Sequence, residues 1–287
     1  MRGIAGHWRA DALGLIADFM LTYSETETLQ RIESALRAAA SVFERFTLGA
    51  IDAEYKSGHD PVTEADRVLD GLLRNELLRD GEGWLSEESV DDFTRLEKHR
   101  VWVVDPLDGT REFIAGIPEF CTSVAMVEDG RPVAGGIYNP ATHETFLGSL
   151  RSGVTYNGKP ARASQRTSLS GALVVASRSE MKRGEWRQFK EADFNVRPVG
   201  SVAYKLALVS AGLADATFTL VPKHEWDVAA GAALVESGGG FVSTVDKKRL
   251  LCNRRPPLIS GLIACGPFLA DELTSRVSCR LAPSRLS

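Results

Sequence analysis

The clearest helical pattern lies over Glu25–Phe46, where Leu29, Ile32, Leu36, Ala39, Ala40 and Phe43 recur at helical spacing. These positions form one apolar stripe and predict an amphipathic helix. Residues 49–61 carry Gly, Lys, His and Pro and predict a loop. Thr63 caps a second predicted helix, because Asp66 stands three positions on and Val68, Leu69, Leu72, Leu73 and Leu77 follow. Further on, Trp84–Glu88 and Val101–Asp105 predict short strands. Ser123–Glu128 and Val133–Tyr138 flank Asp129-Gly130 as a hairpin, and Thr145–Leu150 and Val154–Asn157 extend the meander.

Beyond residue 165 the pattern alternates. Strands at Ala172–Ala176, Ala216–Leu220 and Leu262–Ala264 are interleaved with helices at Glu185–Ala192, Tyr204–Ala211, Val228–Ser237 and Pro267–Thr274. Gly212 and Gly238–Gly240 act as helix stops. This order predicts an α+β or α/β fold in two parts. Residues 25–165 form an N-terminal subdomain of helices and mostly antiparallel sheet, and 166–279 a mixed sheet covered by helices. Residues 1–24 are an N-terminal extension and 280–287 a tail.

The 287 residues carry a net charge of −4, with 44% apolar and 25% charged side chains. That composition is ordinary for a globular protein and lacks the basic footprint of a nucleic-acid-polymer binder. No apolar run approaches the ~18 residues of a membrane span. The stretch Leu13–Leu21 is interrupted by Asp18 and does not resemble a signal peptide, so a cytoplasmic protein is expected. Cys121, Cys252, Cys265 and Cys279 show no CxxC or zinc-finger spacing and predict free thiols.

The candidate chemistry centres on Asp105-Pro-Leu-Asp108-Gly-Thr110, after the apolar run Val101–Val104. A strand ending at Asp105 and a turn fixed by Pro106 bring two carboxylates toward one point. Gly109 permits close backbone approach, and Thr110 opens a helix whose N-terminus suits a phosphate. Carboxylates beside a phosphate need intervening cations, and Mg²⁺ is the natural oxygen-seeking choice. Taken alone, the segment is equally an acidic turn with a capping Asp. Glu87-Glu88, Asp60–Asp66 and Asp227 are each, singly, compatible with capping or solvated acids.

Together, Asp60–Asp66 (DPVTEAD), Leu85–Val90 (LSEESV), Trp102–Thr110 (WVVDPLDGT) and Trp226–Gly231 (WDVAAG) with Gly238–Gly240 resemble the inositol monophosphatase superfamily. The resemblance covers roughly residues 25–275. It implies a layered αβαβα sandwich and a Mg²⁺-dependent phosphomonoesterase using two or three ions. Glu87, Asp105, Asp108, Asp227 and the Leu107 carbonyl match metal ligands. Glu87, Asp66 and Thr110 match the residues that position the attacking water, and Gly109 and Thr110 those that offer N–H groups to phosphate. Relatives are often dimeric and Li⁺-sensitive, so a homodimer acting on a small phosphorylated substrate is implied.

For the substrate, three features resemble the 3′(2′),5′-bisphosphate nucleotidase branch: Arg111-Glu112-Phe113, Ser177-Arg178-Ser179, and Lys205 after Gly200-Ser201. They favour 3′-phosphoadenosine 5′-phosphate, with Arg178, Ser201, Lys205 and His224 as substrate contacts. Leu220 falls where some inositol enzymes carry an acid that grips ring hydroxyls. Gly116-Ile117-Pro118 points instead to the inositol and histidinol branches, so an inositol-1-phosphate or other sugar or histidinol phosphate phosphatase is the alternative. His224 is also compatible with a structural role, Lys56 sits in a loop near the site in relatives, and Trp102 and Trp226 are expected to pack beside the ligands. A catalytically silent binding module on the same fold is disfavoured, because every matched ligand position keeps its carboxylate.

Overall fold

The computed structural model describes residues 7–50, 53–55 and 61–281. Its first element, α1 (His7–Phe43), begins well before the expected Glu25 and ends at Phe43 rather than Phe46. Ile32, Ala35, Leu36, Ala39 and Phe43 are buried along its inner stripe. A short antiparallel pair, β1 (Ala53–Tyr55) and β2 (Pro61–Thr63), replaces part of the expected loop. Three-residue strands are too short to show alternation in sequence. Lys56 and Asp60 lie outside the described residues. Helix α2 (Glu64–Leu77) starts where predicted, since the Asp66 carboxylate accepts both the backbone N–H (2.7 Å) and the hydroxyl (2.6 Å) of Thr63.

Strands β3 (Gly83–Ser86) and β4 (Arg100–Asp108) pair in parallel. After α3 (Thr110–Ala115) come β5 (Cys121–Glu128), β6 (Arg131–Asn139), β7 (Glu144–Ser149), β8 (Gly153–Tyr156) and β9 (Lys159–Ala161). They complete a seven-stranded sheet in sequential order. The β5–β6 turn holds Asp129 at φ 47° and Gly130 at φ 79°, as a two-residue primed hairpin requires.

The second half contains β10 (Leu173–Ser177), α4 (Arg178–Lys182), β11 (Asn195–Val199), α5 (Val202–Ser210), β12 (Ala216–Thr219) and β13 (Lys223–His224). Then follow α6 (Glu225–Ser237), β14 (Phe241–Thr244), β15 (Leu258–Ile259), β16 (Leu262–Cys265) and α7 (Ala270–Leu281). The helix expected over Glu185–Ala192 is only a 3₁₀ turn at Glu185–Phe189. A mixed sheet runs in the order β11-β10-β12-β16-β14. Strands β10 to β12 pair in parallel and β16 runs antiparallel to its neighbours.

Alternation along β4 sets the layers. Trp102 and Val104 face α1 and α2, while Val101 and Val103 face α5, α6 and the second sheet. On the far side, Val174, Ala176, Ile263 and Cys265 pack against α7 and the Trp186–Phe189 turn. The result is the αβαβα sandwich. Helix α6 lies between the two sheets, and its Ala229-Ala230-Gly231-Ala232-Ala233 stretch allows that closeness. A Cβ added at Gly135 of β6 would lie 2.6 Å from the Ala230 carbonyl oxygen.

Candidate active site

Three elements deliver one acidic cluster: Glu87 just past β3, Asp105 on β4, and Asp227 in the first turn of α6. Carboxylate oxygens of the three lie within 4.8 Å of one another. Asp105 is buried, and its Oδ1 accepts the Leu107 backbone N–H at 3.0 Å. Strand β4 does not end at Asp105 as expected. It continues to Asp108 through a register shift against β5, a local irregularity that re-aims side chains. Asp227 closes the N-terminal cap of α6, accepting the His224 backbone N–H at 3.2 Å.

Such proximity is costly. Burial, followed by the charges of Glu87 and Asp108, holds the Asp105 carboxyl well above its usual range. Withdrawal from water, then Asp108 and Glu87, does the same to Asp227. An all-oxygen cluster with raised affinity for positive charge fits a hard divalent cation such as Mg²⁺.

Asp108 stands apart from this trio. Its Oδ2 accepts the Ser201 hydroxyl (2.7 Å) and the Ala203 N–H (2.6 Å), so one oxygen is held by the start of α5. The Leu107 carbonyl accepts the Thr110 hydroxyl at 3.1 Å. That hydroxyl also points to Asp66 Oδ1 at 3.3 Å. Asp66 is buried, and burial raises its carboxyl despite the bonds from Thr63. Gly109 adopts φ 100°, and a Cβ there would sit 3.0 Å from the Glu119 carbonyl. Glycine is therefore required at this entry to α3.

Glu87, Asp105, Asp108, Thr110 and Asp227 border a cleft of about 270 Å³, whose other walls include Ser177–Ser179, Ser201, Lys205, Lys223 and His224. The two cations expected as substrate contacts, Arg178 and Lys205, are engaged within the chain. Arg178 forms an ion pair with Glu119 at 2.5 Å. Lys205 is buried with its ammonium on the Ser201 carbonyl at 2.6 Å, and burial lowers its pKa to about 8. The His224 ring stacks on Trp226, with centroids 4.4 Å apart and planes 2° from parallel. Cys121, buried beside Ser201, is free, as are Cys252 and Cys265. Sequence reasoning missed Glu119, whose role depends on a partner 59 residues away, and Lys223, whose only signal was its place beside His224.

An acidic cluster facing cations across a polar cleft, in a layered α/β sandwich, defines an enzyme of small anionic esters. Comparison supplies the family. The model of the inositol monophosphatase family matches residues 24–280. The Mesorhizobium japonicum inositol-1-monophosphatase is 35% identical over 225 residues, 75% of this chain and 84% of the relative. The Thermotoga maritima fructose-1,6-bisphosphatase/inositol-1-monophosphatase is 34% identical over 211 residues, 70% of this chain and 78% of the relative. A solved structure, Thermotoga maritima IMPase, superposes with a TM-score of 0.76 at 28% identity, covering 86% of this chain and 95% of that one. The chain belongs to the inositol monophosphatase family and is a phosphoric monoester hydrolase. No helix among the described residues is long and apolar enough to cross a membrane.

Proposed function

We propose that this protein is a Mg²⁺-dependent monoesterase of inositol 1-phosphate and related polyol phosphates. The observation that carries the proposal is the convergence of Glu87, Asp105 and Asp227 beside the Thr110–Asp66 pair at one end of the cleft. Those three carboxylates, with the free oxygen of Asp108 and the Leu107 carbonyl, would hold the metal. Bound there, Mg²⁺ would neutralise phosphoryl charge and acidify water.

The chain's own groups supply the rest. The Thr110 hydroxyl, set between the Leu107 carbonyl and Asp66, orients an attacking water together with Glu87. Asp66, whose affinity for a proton is raised by burial, drains the proton through Thr110. Peptide N–H groups of Gly109 and Thr110 face the phosphoryl oxygens. Every residue named comes from one chain.

The polyol reading rests on the relatives' names and on Arg178 and Lys205 already having partners. A nucleotide bisphosphate would have to break the Arg178–Glu119 pair or extract Lys205 from its carbonyls. The test is phosphate release from inositol 1-phosphate and from 3′-phosphoadenosine 5′-phosphate, with Mg²⁺ and with EDTA. Turnover of the inositol ester that EDTA abolishes is expected. Preferential turnover of the nucleotide would refute the substrate assignment, and metal-independent turnover would refute the site.

A further inference from the structure

Leu220 is absent from the walls of the cleft. Its side chain packs outward with Trp186, Phe189 and Phe218 and lines a separate cavity. The polar group that could meet the non-phosphate part of a substrate must therefore come from elsewhere. Three residues on, Lys223 lines the cleft together with Glu87, Asp105 and Asp227. Its ammonium lies 2.9 Å from Glu180 Oε1, with the lysine side chain 15% and the glutamate 2% exposed.

Glu180 is a built anchor. The same Oε1 accepts the Thr219 hydroxyl at 2.6 Å, and Oε2 accepts the Trp186 indole N–H at 3.4 Å. Burial works to raise this carboxyl, but Lys223, Thr219 and Trp186 outweigh it and hold it below its usual value. The anchor comes from α4, an element that carries no member of the acidic cluster. Lys223 sits on two-residue β13, held in register opposite Ile259 of β15. The backbone is thus held by β15 and the ammonium by Glu180, and the residue lines the cleft beside His224 and Asp227.

An ammonium carries three donors and no acceptor. Glu180 takes one of them, and the others can meet acceptor oxygens in the cleft. We infer that Lys223, held by Glu180, is a specificity-determining residue that selects leaving groups presenting hydroxyl oxygens to its ammonium. This inference rests on the proposed monoesterase reading and names which part of that site reads the polyol.

The experiment compares inositol 1-phosphate with phenyl phosphate, a ring of similar size with no hydroxyls. The readout is the ratio of kcat/KM values for the two esters in wild type, Lys223→Met, Lys223→Arg and Glu180→Gln, all in Mg²⁺. Lys223→Met is expected to lower the ratio about tenfold or more, chiefly through KM for the inositol ester. Lys223→Arg should recover part of it. Glu180→Gln should lower it less, since the lysine remains but is no longer fixed. A purely structural ion pair would shift Tm in Lys223→Met and leave the ratio at its wild-type value, which overturns the inference. If Glu180→Gln fails to fold, the two Lys223 variants decide the matter. Wild-type inactivity on both esters overturns the proposed activity and this inference with it. An active wild type with an unmoved ratio overturns this inference alone.

Discussion

Asp105→Asn separates what the acidic cluster does for folding from what it does for metal binding. Carboxylate oxygens of Glu87, Asp105 and Asp227 lie within 4.8 Å of one another. At an effective dielectric of about 20, each fully ionised pair at that range costs about 3.5 kcal/mol. Replacing Asp105 removes two of the three pairs, and the amide oxygen can still accept the Leu107 N–H. Without metal, the variant should therefore melt at or above the wild-type temperature, although a buried group has been changed. With metal the order reverses. Mg²⁺ at about 100 times its Kd should stabilise wild type by about 2.7 kcal/mol, or roughly 4–5 °C for a chain of this size. The variant should gain almost nothing.

The pH dependence has a defined sign. Burial and mutual repulsion raise the pKa values of Asp105 and Asp227, so the folded state holds more protons than the unfolded one above the ordinary Asp range. Metal-free stability is thus full below that range and is lost as pH rises through the raised values. Mg²⁺ requires the ionised cluster, so its Tm increment should grow over the same rise. Differential scanning calorimetry between about pH 5 and 8.5, with NaCl matching the ionic strength of MgCl₂, measures both effects. A variant that loses several degrees without metal yet keeps the Mg²⁺ increment would refute the reasoning.

Three further outcomes follow from the geometry. Thr110→Ala should reduce kcat by about 10²- to 10⁴-fold with KM little changed, because it cuts the link between Asp66 and the cleft; steady-state assays decide, and undiminished kcat would remove Thr110 from the mechanism. Gly135→Ala should destabilise by about 1–3 kcal/mol in urea unfolding, since its Cβ meets the Ala230 carbonyl at 2.6 Å. Lys205 has its pKa depressed to about 8, so the folded chain holds fewer protons than the unfolded one between that value and about 10.4, and stability rises with pH across this window. Lys205→Met should remove that rise, which the wild-type-minus-variant difference in Tm from pH 8 to 10 reports.

Much of the fold was legible because its longer elements bury one face at a regular period. The Leu69–Leu73–Leu77 stripe and the Thr63–Asp66 cap located α2, and Asp129-Gly130 located the hairpin. The elements that escaped were short or fully covered. Helix α4 has five residues and β1 three. Strands β11 and β14 are short edges of the second sheet, of five and four residues. In the site, acidic residues next to glycine and proline turns stood out by composition. What surrounds them did not, because the Arg178–Glu119 and Glu180–Lys223 pairs join segments 59 and 43 residues apart, with no local pattern to announce them. The relatives favour the inositol alternative over the nucleotide preference, and the two cations that carried that preference, Arg178 and Lys205, look available in sequence but have partners within the chain.

Helix α6, wedged between the two sheets, gives the molecule a division of labour. Asp227 is anchored in a closely packed layer, where a methyl group at Gly135 or Gly231 finds no room. Lys223, Ser177–Ser179 and Glu119 sit on two-residue β13, the junction of β10 with α4, and the connection before β5, outside that layer. Under the proposed function, substitutions there are expected to change which alcohol is accepted while the acidic cluster keeps its shape. The same scaffold would then be retuned from ester to ester at little cost in stability, whereas a change that loosens the wedge is expected to lower turnover of every ester together.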